Sequence, residues 1–136
     1  MNFRYNKQVN IPADKITLDG ELIIPAEANA IVVFSHGSGS SRFSPRNRMV
    51  AEYLHRQQLG TLLFDLLTTQ EDRIYQTRFN IELLTQRLIA ATNWLTHYVP
   101  AKECRLGYFG ASTGAASALK AAARIPEIGA VVSRGG

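Results

Sequence analysis

The sequence predicts an α/β fold: a mostly parallel sheet with an N-terminal antiparallel hairpin and helices on both faces. Three observations carry this. Past residue 25, short apolar runs alternate strictly with longer amphipathic ones, the order that builds parallel strands joined by helical crossovers. Two of the short runs, residues 30–35 and 61–67, are almost continuously apolar, as strands covered on both faces are. Finally, a β-type run ends in Gly110-Ala111-Ser112-Thr113-Gly114 and passes straight into a small-residue helical run. Strand, G-x-S-x-G, helix is the layout that lifts a serine off a sheet on a tight turn.

In chain order, residues 5–24 read as a β-hairpin. Two loosely alternating stretches, 5–11 and 16–18, lead to Asp19-Gly20, a strong turn signal, and residues 21–24 return before Pro25. Residues 30–35 are a buried strand that empties into His36-Gly37-Ser38-Gly39-Ser40-Ser41. Ser44 followed by Pro45 predicts a capped helix running to Gln58, with Met49, Val50, Tyr53 and Leu54 inward and Gly60 near its end. Residues 61–67 form the next strand and 68–78 a polar loop. From Asn80 to about Tyr98, Ile81, Leu84, Leu88, Ala91 and Leu95 recur at helical steps until Pro100 stops them. A strand at 104–109, the serine turn, a helix at 113–124 and a buried strand at 128–132 complete the chain.

The totals bound the partners. At 136 residues, 46% hydrophobic and 19% charged, the chain has the size and composition of one globular domain, 1–136. A net charge of +4 is mild, and apart from Arg42, Arg46 and Arg48 the basic residues are scattered, so no nucleic-acid partner is expected. The single cysteine, Cys104, excludes an internal disulfide and fits a reducing compartment, with a buried packing role at the start of its strand. Residues 1–7 lack an apolar signal region and no run is long enough to span a bilayer. The expectation is a cytoplasmic protein with no membrane partner, no cofactor and no metal.

In a sheet of this kind, sites lie off the carboxyl ends of the strands. Both the glycine-rich loop after residue 35 and Ser112 leave from those ends. An acyl-transfer serine needs a base, a group to orient the base, and donors for the oxyanion. Thr113, following the serine, offers one backbone N–H. The loop His36-Gly37-Ser38-Gly39 is placed to offer another through Ser38, although such loops also serve as phosphate cradles or plain turns. The base is harder to find. Beyond Ser112 the chain holds no His and no Asp, only Glu127. His55 and His97 fall within helices. His36 is at the right edge, where it is either a base or a brace for the loop. Asp65, at a strand end on that edge, is either an acid or a turn former. Arg42 and Arg46 are candidates to hold an acidic substrate or are solvated charges at a helix entry.

Four blocks in order, residues 33–42, 44–47, 63–68 and 110–114, resemble the dienelactone-hydrolase-like branch of the α/β-hydrolases. The subgroup sometimes fused to phosphoribosyltransferase domains is the nearest in pattern. The resemblance covers about residues 15–136. It implies an α/β-hydrolase fold, Ser112 as nucleophile and Ser38 and Thr113 as oxyanion-hole N–H donors, with His36, Gly37, Gly39 and Arg42 against a small ester or lactone substrate. Dienelactone hydrolases proper use a cysteine nucleophile, so the serine implies generic ester chemistry. The family's acid and histidine lie in strands and helices beyond a point matching Gly136. The expectation is therefore the front two-thirds of such a domain, a very poor esterase alone, which self-associates through an open sheet edge. Two other functions fit the residues: a noncatalytic binding module, and a phosphate- or nucleotide-binding α/β domain.

Overall fold

The computed structural model describes residues 1–135; Gly136 lies outside the described residues. One sheet of six strands forms the centre. β1 (Phe3–Ala13) and β2 (Ile16–Pro25) make an antiparallel ribbon, and β2 pairs antiparallel with β4 (Gly60–Phe64). β4, β3 (Ala30–Ser35), β5 (Arg105–Ala111) and β6 (Val131–Arg134) then run parallel, giving the order β1-β2-β4-β3-β5-β6. The sheet is mixed and mostly parallel, with the antiparallel hairpin at its N-terminal edge.

Strand alternation divides the core into two layers. Ile31, Val33, Leu62, Phe64 and Tyr108 face one side, where α3 (Ile81–His97) and α4 (Thr113–Arg124) pack through Leu84, Leu88, Ala91, Leu95, Ala118 and Ala121. Each fully buried leucine there contributes about 1.5–3 kcal/mol relative to exposure. Phe34 and Leu63 face the other side with Val32 and Phe109, and take Ala51, Val50 and Leu54 from α1 (Pro45–Arg56).

Several sequence expectations need correction. The hairpin turns at Asp14-Lys15, with Asp14 at φ 54°, and not at Asp19-Gly20. Gly20 sits inside β2 because a side chain there would meet Phe64 Cβ at 3.0 Å and Val9 at 3.3 Å; the glycine serves packing and not a turn. α1 ends at Arg56, before Gln58; Val50 and Leu54 do face inward, beside the buried Asn47, Ala51 and His55, while Met49 and Tyr53 stand 65% and 57% exposed. Polar residues on the inner stripe mislead a phase drawn from hydrophobicity: His55 Nε2 is 2.8 Å from Thr61 Oγ1, inside the core.

The strand expected at 61–67 ends at Phe64. The polar loop at 68–78 is structured: α2 (Thr69–Asp72) opens on a reciprocal cap between Thr68 and Glu71, and a 3₁₀ turn covers Tyr75–Phe79. The last strand starts at Val131, later than the expected 128, and is not buried: Val132 is 55% exposed at the edge of the described sheet. Cys104 is half-buried, accepts from Arg4 Nη2 at 3.5 Å, and lines clefts of about 520 and 670 Å³ at the amino ends of the strands, far from the serine turn.

Candidate active site

Ser112 stands between the last residue of β5 and the first of α4, at φ 57° and ψ −123°. A non-glycine residue there carries about 1–3 kcal/mol of strain, held by its surroundings. Those surroundings are glycines. A side chain on Gly110 would lie 2.6 Å from Ala115 Cα, and one on Gly114 would lie 2.0 Å from the Ser35 carbonyl oxygen. The spacing in G-x-S-x-G thus lets helix α4 start against its own strand and against β3. Ser35 and Ser117 join the same two elements by a buried hydroxyl pair at 2.8 Å, and Ser117 also donates to Gly114 O at 3.0 Å. The turn leaves Ser112 exposed.

The loop after β3 comes directly alongside. A side chain on Gly37 would stand 3.1 Å from Ser112 Cβ and 3.8 Å from Ser112 Oγ, so the glycine lets the loop lie against the serine without crowding it. Ser38, Gly39 and Thr113 line one narrow crevice with His36, Asp72 and Arg78. The N–H of Ser112 itself donates to Arg134 O at 3.0 Å. Among the described residues, the N–H groups of Ser38 and Thr113 have no protein acceptor. They lie at a loop turn and at the first position of a twelve-residue helix, whose dipole favours developing negative charge.

His36 is buried and braces this loop. Its Nε2 accepts from the Leu66 N–H at 3.0 Å, which places the proton on Nδ1, and Nδ1 donates to Gly37 O at 2.9 Å. Burial pushes its pKa below the usual value, against smaller opposing effects of the Gly37 hydrogen bond and of Asp65 and Asp72. A neutral ring with both nitrogens committed neither takes a proton from Ser112 nor reaches a substrate through its side chain. His55 is committed to Thr61, and His97 is exposed with Nδ1 against Asn93 O. No histidine of the chain therefore serves Ser112.

Asp65 is likewise occupied. One carboxylate oxygen accepts from the Arg42 N–H at 2.7 Å and the other pairs with the Arg42 guanidinium, which lies over the Phe43 ring. The pair clamps residues 40–44, beside a groove of about 170 Å³ past Ser40, Ser41 and Thr68. Arg42 is thus held to the fold. Arg46 and Glu127 lie on the exposed surface, Glu127 beside the cleft at the far end of the strands. Sequence reasoning missed Arg87 and Glu71, which form a two-pronged ion pair at 2.7 and 2.6 Å near the loop. The Thr-x-x-Glu spacing at 68–71 was the available signal for a helix start there.

No family model matches the chain. A dienelactone hydrolase of Anabaena variabilis is 52% identical with a TM-score of 0.93, the match covering 97% of this chain and 63% of that one. The Pyrococcus furiosus esterase Pf2001 is 27% identical with a TM-score of 0.73, covering 93% and 49%. A Mycobacterium tuberculosis protein provisionally named a phosphoribosyl transferase is 50% identical over 133 residues, 96% of this chain but 30% of its own length. The chain thus spans under two thirds of these relatives. No helix among the described residues is long and apolar enough to cross a membrane. In strand order and serine turn the chain has the fold of the α/β-hydrolases, and in residue identity it is similar to a dienelactone hydrolase.

Proposed function

We propose that this chain supplies the nucleophile and oxyanion hole of a serine hydrolase acting on carboxylic esters or lactones. The observation that carries the proposal is the strained, exposed Ser112 packed against Gly37. Ser112 Oγ attacks the carbonyl carbon and its proton passes to a base. The carbonyl oxygen becomes an oxyanion, received by the N–H groups of Ser38 and Thr113. Collapse breaks the ester C–O bond, the alcohol leaves with a proton, and water releases the acid from the acyl-serine. Backbone donors on a loop and a helix end, fixed before the substrate arrives, need no reorganisation as charge develops.

The base must come from outside the three histidines of this chain. That same observation favours a second reading, a binding module that keeps the fold without turnover. The phosphoribosyl transferase activity in the name of the Mycobacterium tuberculosis relative we place in the remaining length of that protein. The chain is tested by incubation with p-nitrophenyl acetate and peptide mapping. Slow acetylation confined to Ser112, absent in Ser112→Ala, is expected. An unmodified Ser112 after prolonged incubation would favour the binding module.

A further inference from the structure

We propose that Arg87 is a positioning residue for the oxyanion loop, acting through the Leu66 backbone and the His36 ring; this rests on the assignment of Ser38 to the oxyanion hole. Side chains hold Leu66 through two successive peptide groups, one on each side of its Cα. Its N–H donates to His36 Nε2 at 3.0 Å, and its carbonyl accepts from Arg87 Nη1 at 3.3 Å. Leu66 follows the paired part of β4, so these two bonds restrain its φ and ψ: with the 66–67 peptide held by Arg87, the 65–66 peptide that carries the N–H is less free to turn. The direction of that N–H sets the rotation of the His36 ring, and Nδ1 of the same ring holds Gly37 O, one residue before Ser38.

Arg87 comes from the inner side of α3 and is 9% exposed. Its guanidinium is locked by both oxygens of Glu71, and Glu71 is locked by the N–H of Thr68 at 2.9 Å. Hydrogen bonding by Arg87 pulls the Glu71 carboxyl down to about 2, so the pair stays charged throughout the neutral range. A partly buried ion pair is a weak source of stability, and apolar groups of similar volume often do as well. What an apolar side chain cannot do is aim a hydrogen bond at the Leu66 carbonyl. Restraining the Leu66 backbone, and through it the N–H that meets His36, is therefore the service the arginine provides. The charged groups facing His36 are Asp65 and Asp72, with Arg87 and Glu71 behind the Leu66 peptide.

The test uses the full 136-residue chain carrying Ser112→Ala, so that no readout depends on turnover. Nitrogen-resolved NMR of the His36 ring should show a single Nδ1–H tautomer. In Arg87→Met, both tautomers should appear and amide exchange at Leu66, whose N–H is bonded to His36 Nε2, should accelerate about tenfold or more, the loss of one hydrogen bond to a charged group. Amides in β1 should be unchanged, which separates misplacement from general loosening. Arg87→Lys, with one ammonium for three acceptors, should restore the wild-type pattern only in part. A folded Arg87→Met with the wild-type tautomer and Leu66 exchange overturns the proposal. If Arg87→Met does not fold, Arg87→Lys decides, and a fully wild-type pattern there overturns it. An inert Ser112 would sink the ester chemistry and leave this test standing.

Discussion

A methyl group on Gly114 would stand 2.0 Å from the carbonyl oxygen of Ser35. The neighbour is backbone in the middle of the sheet, so it has nowhere to go. Overpacking a core ordinarily costs about 1–3 kcal/mol. Gly114→Ala should exceed that range and leave most of the chain unfolded, as circular dichroism and urea melts would report. A well-folded Gly114→Ala would mean that α4 does not press on β3 as described.

Gly37→Ala should behave differently. Its new methyl meets the Ser112 side chain and Ala111 O at 3.1 and 3.2 Å, distances that a loop can relieve by a small shift. The melting temperature should change little, while acylation of Ser112 falls by about 10²-fold, as a misplacement of about 1 Å can cause. Equal losses in stability and acylation would contradict this division.

Stability should fall on mild acidification. Burial lowers the pKa of both His36 and His55 below 6.5, so the unfolded chain binds protons that the folded chain refuses. The stabilising effect is complete above about pH 6.5 and is lost as pH falls toward the folded-state values, by up to about 1.4 kcal/mol per pH unit for each ring. Urea midpoints at pH 7.5 and 5.5 measure it. His36→Gln should remove its share of the slope, and an unaltered slope would show that the His36 ring does not sit neutral.

Turnover by the chain should be slow and open to chemical rescue. Oxyanion donors and positioning alone leave about 10³–10⁴-fold over water in a serine protease stripped of its triad. Because His36 is committed to Leu66 and Gly37, added imidazole should raise the Ser112-dependent rate on p-nitrophenyl acetate. The Ser112→Ala chain subtracts the reaction of imidazole itself. No Ser112-dependent gain would argue that the serine is not presented to a carbonyl.

How far the sequence reached follows from where its signals were local. The serine turn was legible because three constraints fall within five residues: Gly110 against Ala115, Ser112 at positive φ, and Gly114 against Ser35. Strands β3 and β4 were legible as continuous apolar runs. The hairpin turn was not, since Asp19-Gly20 looks like a turn locally and only the distant Phe64 explains that glycine. The inner face of α1 was legible only in Val50 and Leu54, for the same reason: His55 is inside because its Nε2 meets Thr61 Oγ1 there. His36 read equally as base or brace, and the N–H that decides the matter belongs to Leu66, thirty residues away.

The outer edge of β6 should mediate self-association. Val132 is 55% exposed there, and no strand covers that edge among the described residues. Unpaired edges template pairing with other chains. Sedimentation of the 136-residue chain should show dimers or larger species, and Val132→Lys should shift them toward monomer. A stable monomer at high concentration would remove the edge as an interaction surface.

The Ser35–Ser117 hydroxyl pair joins residues 82 apart in the chain. During synthesis, the strand that carries the oxyanion loop leaves the ribosome long before the helix that fixes the nucleophile against it. Contacts that close loops of this length form late, after much of the conformational entropy has been lost. A nascent or partly unfolded chain should therefore carry Ser112 as an ordinary hydroxyl, and its reactivity should appear only with the cooperative closure of β3 on α4. Susceptibility to acylation would then be a clock for folding: it should rise in step with the burial of Tyr108 and never ahead of it.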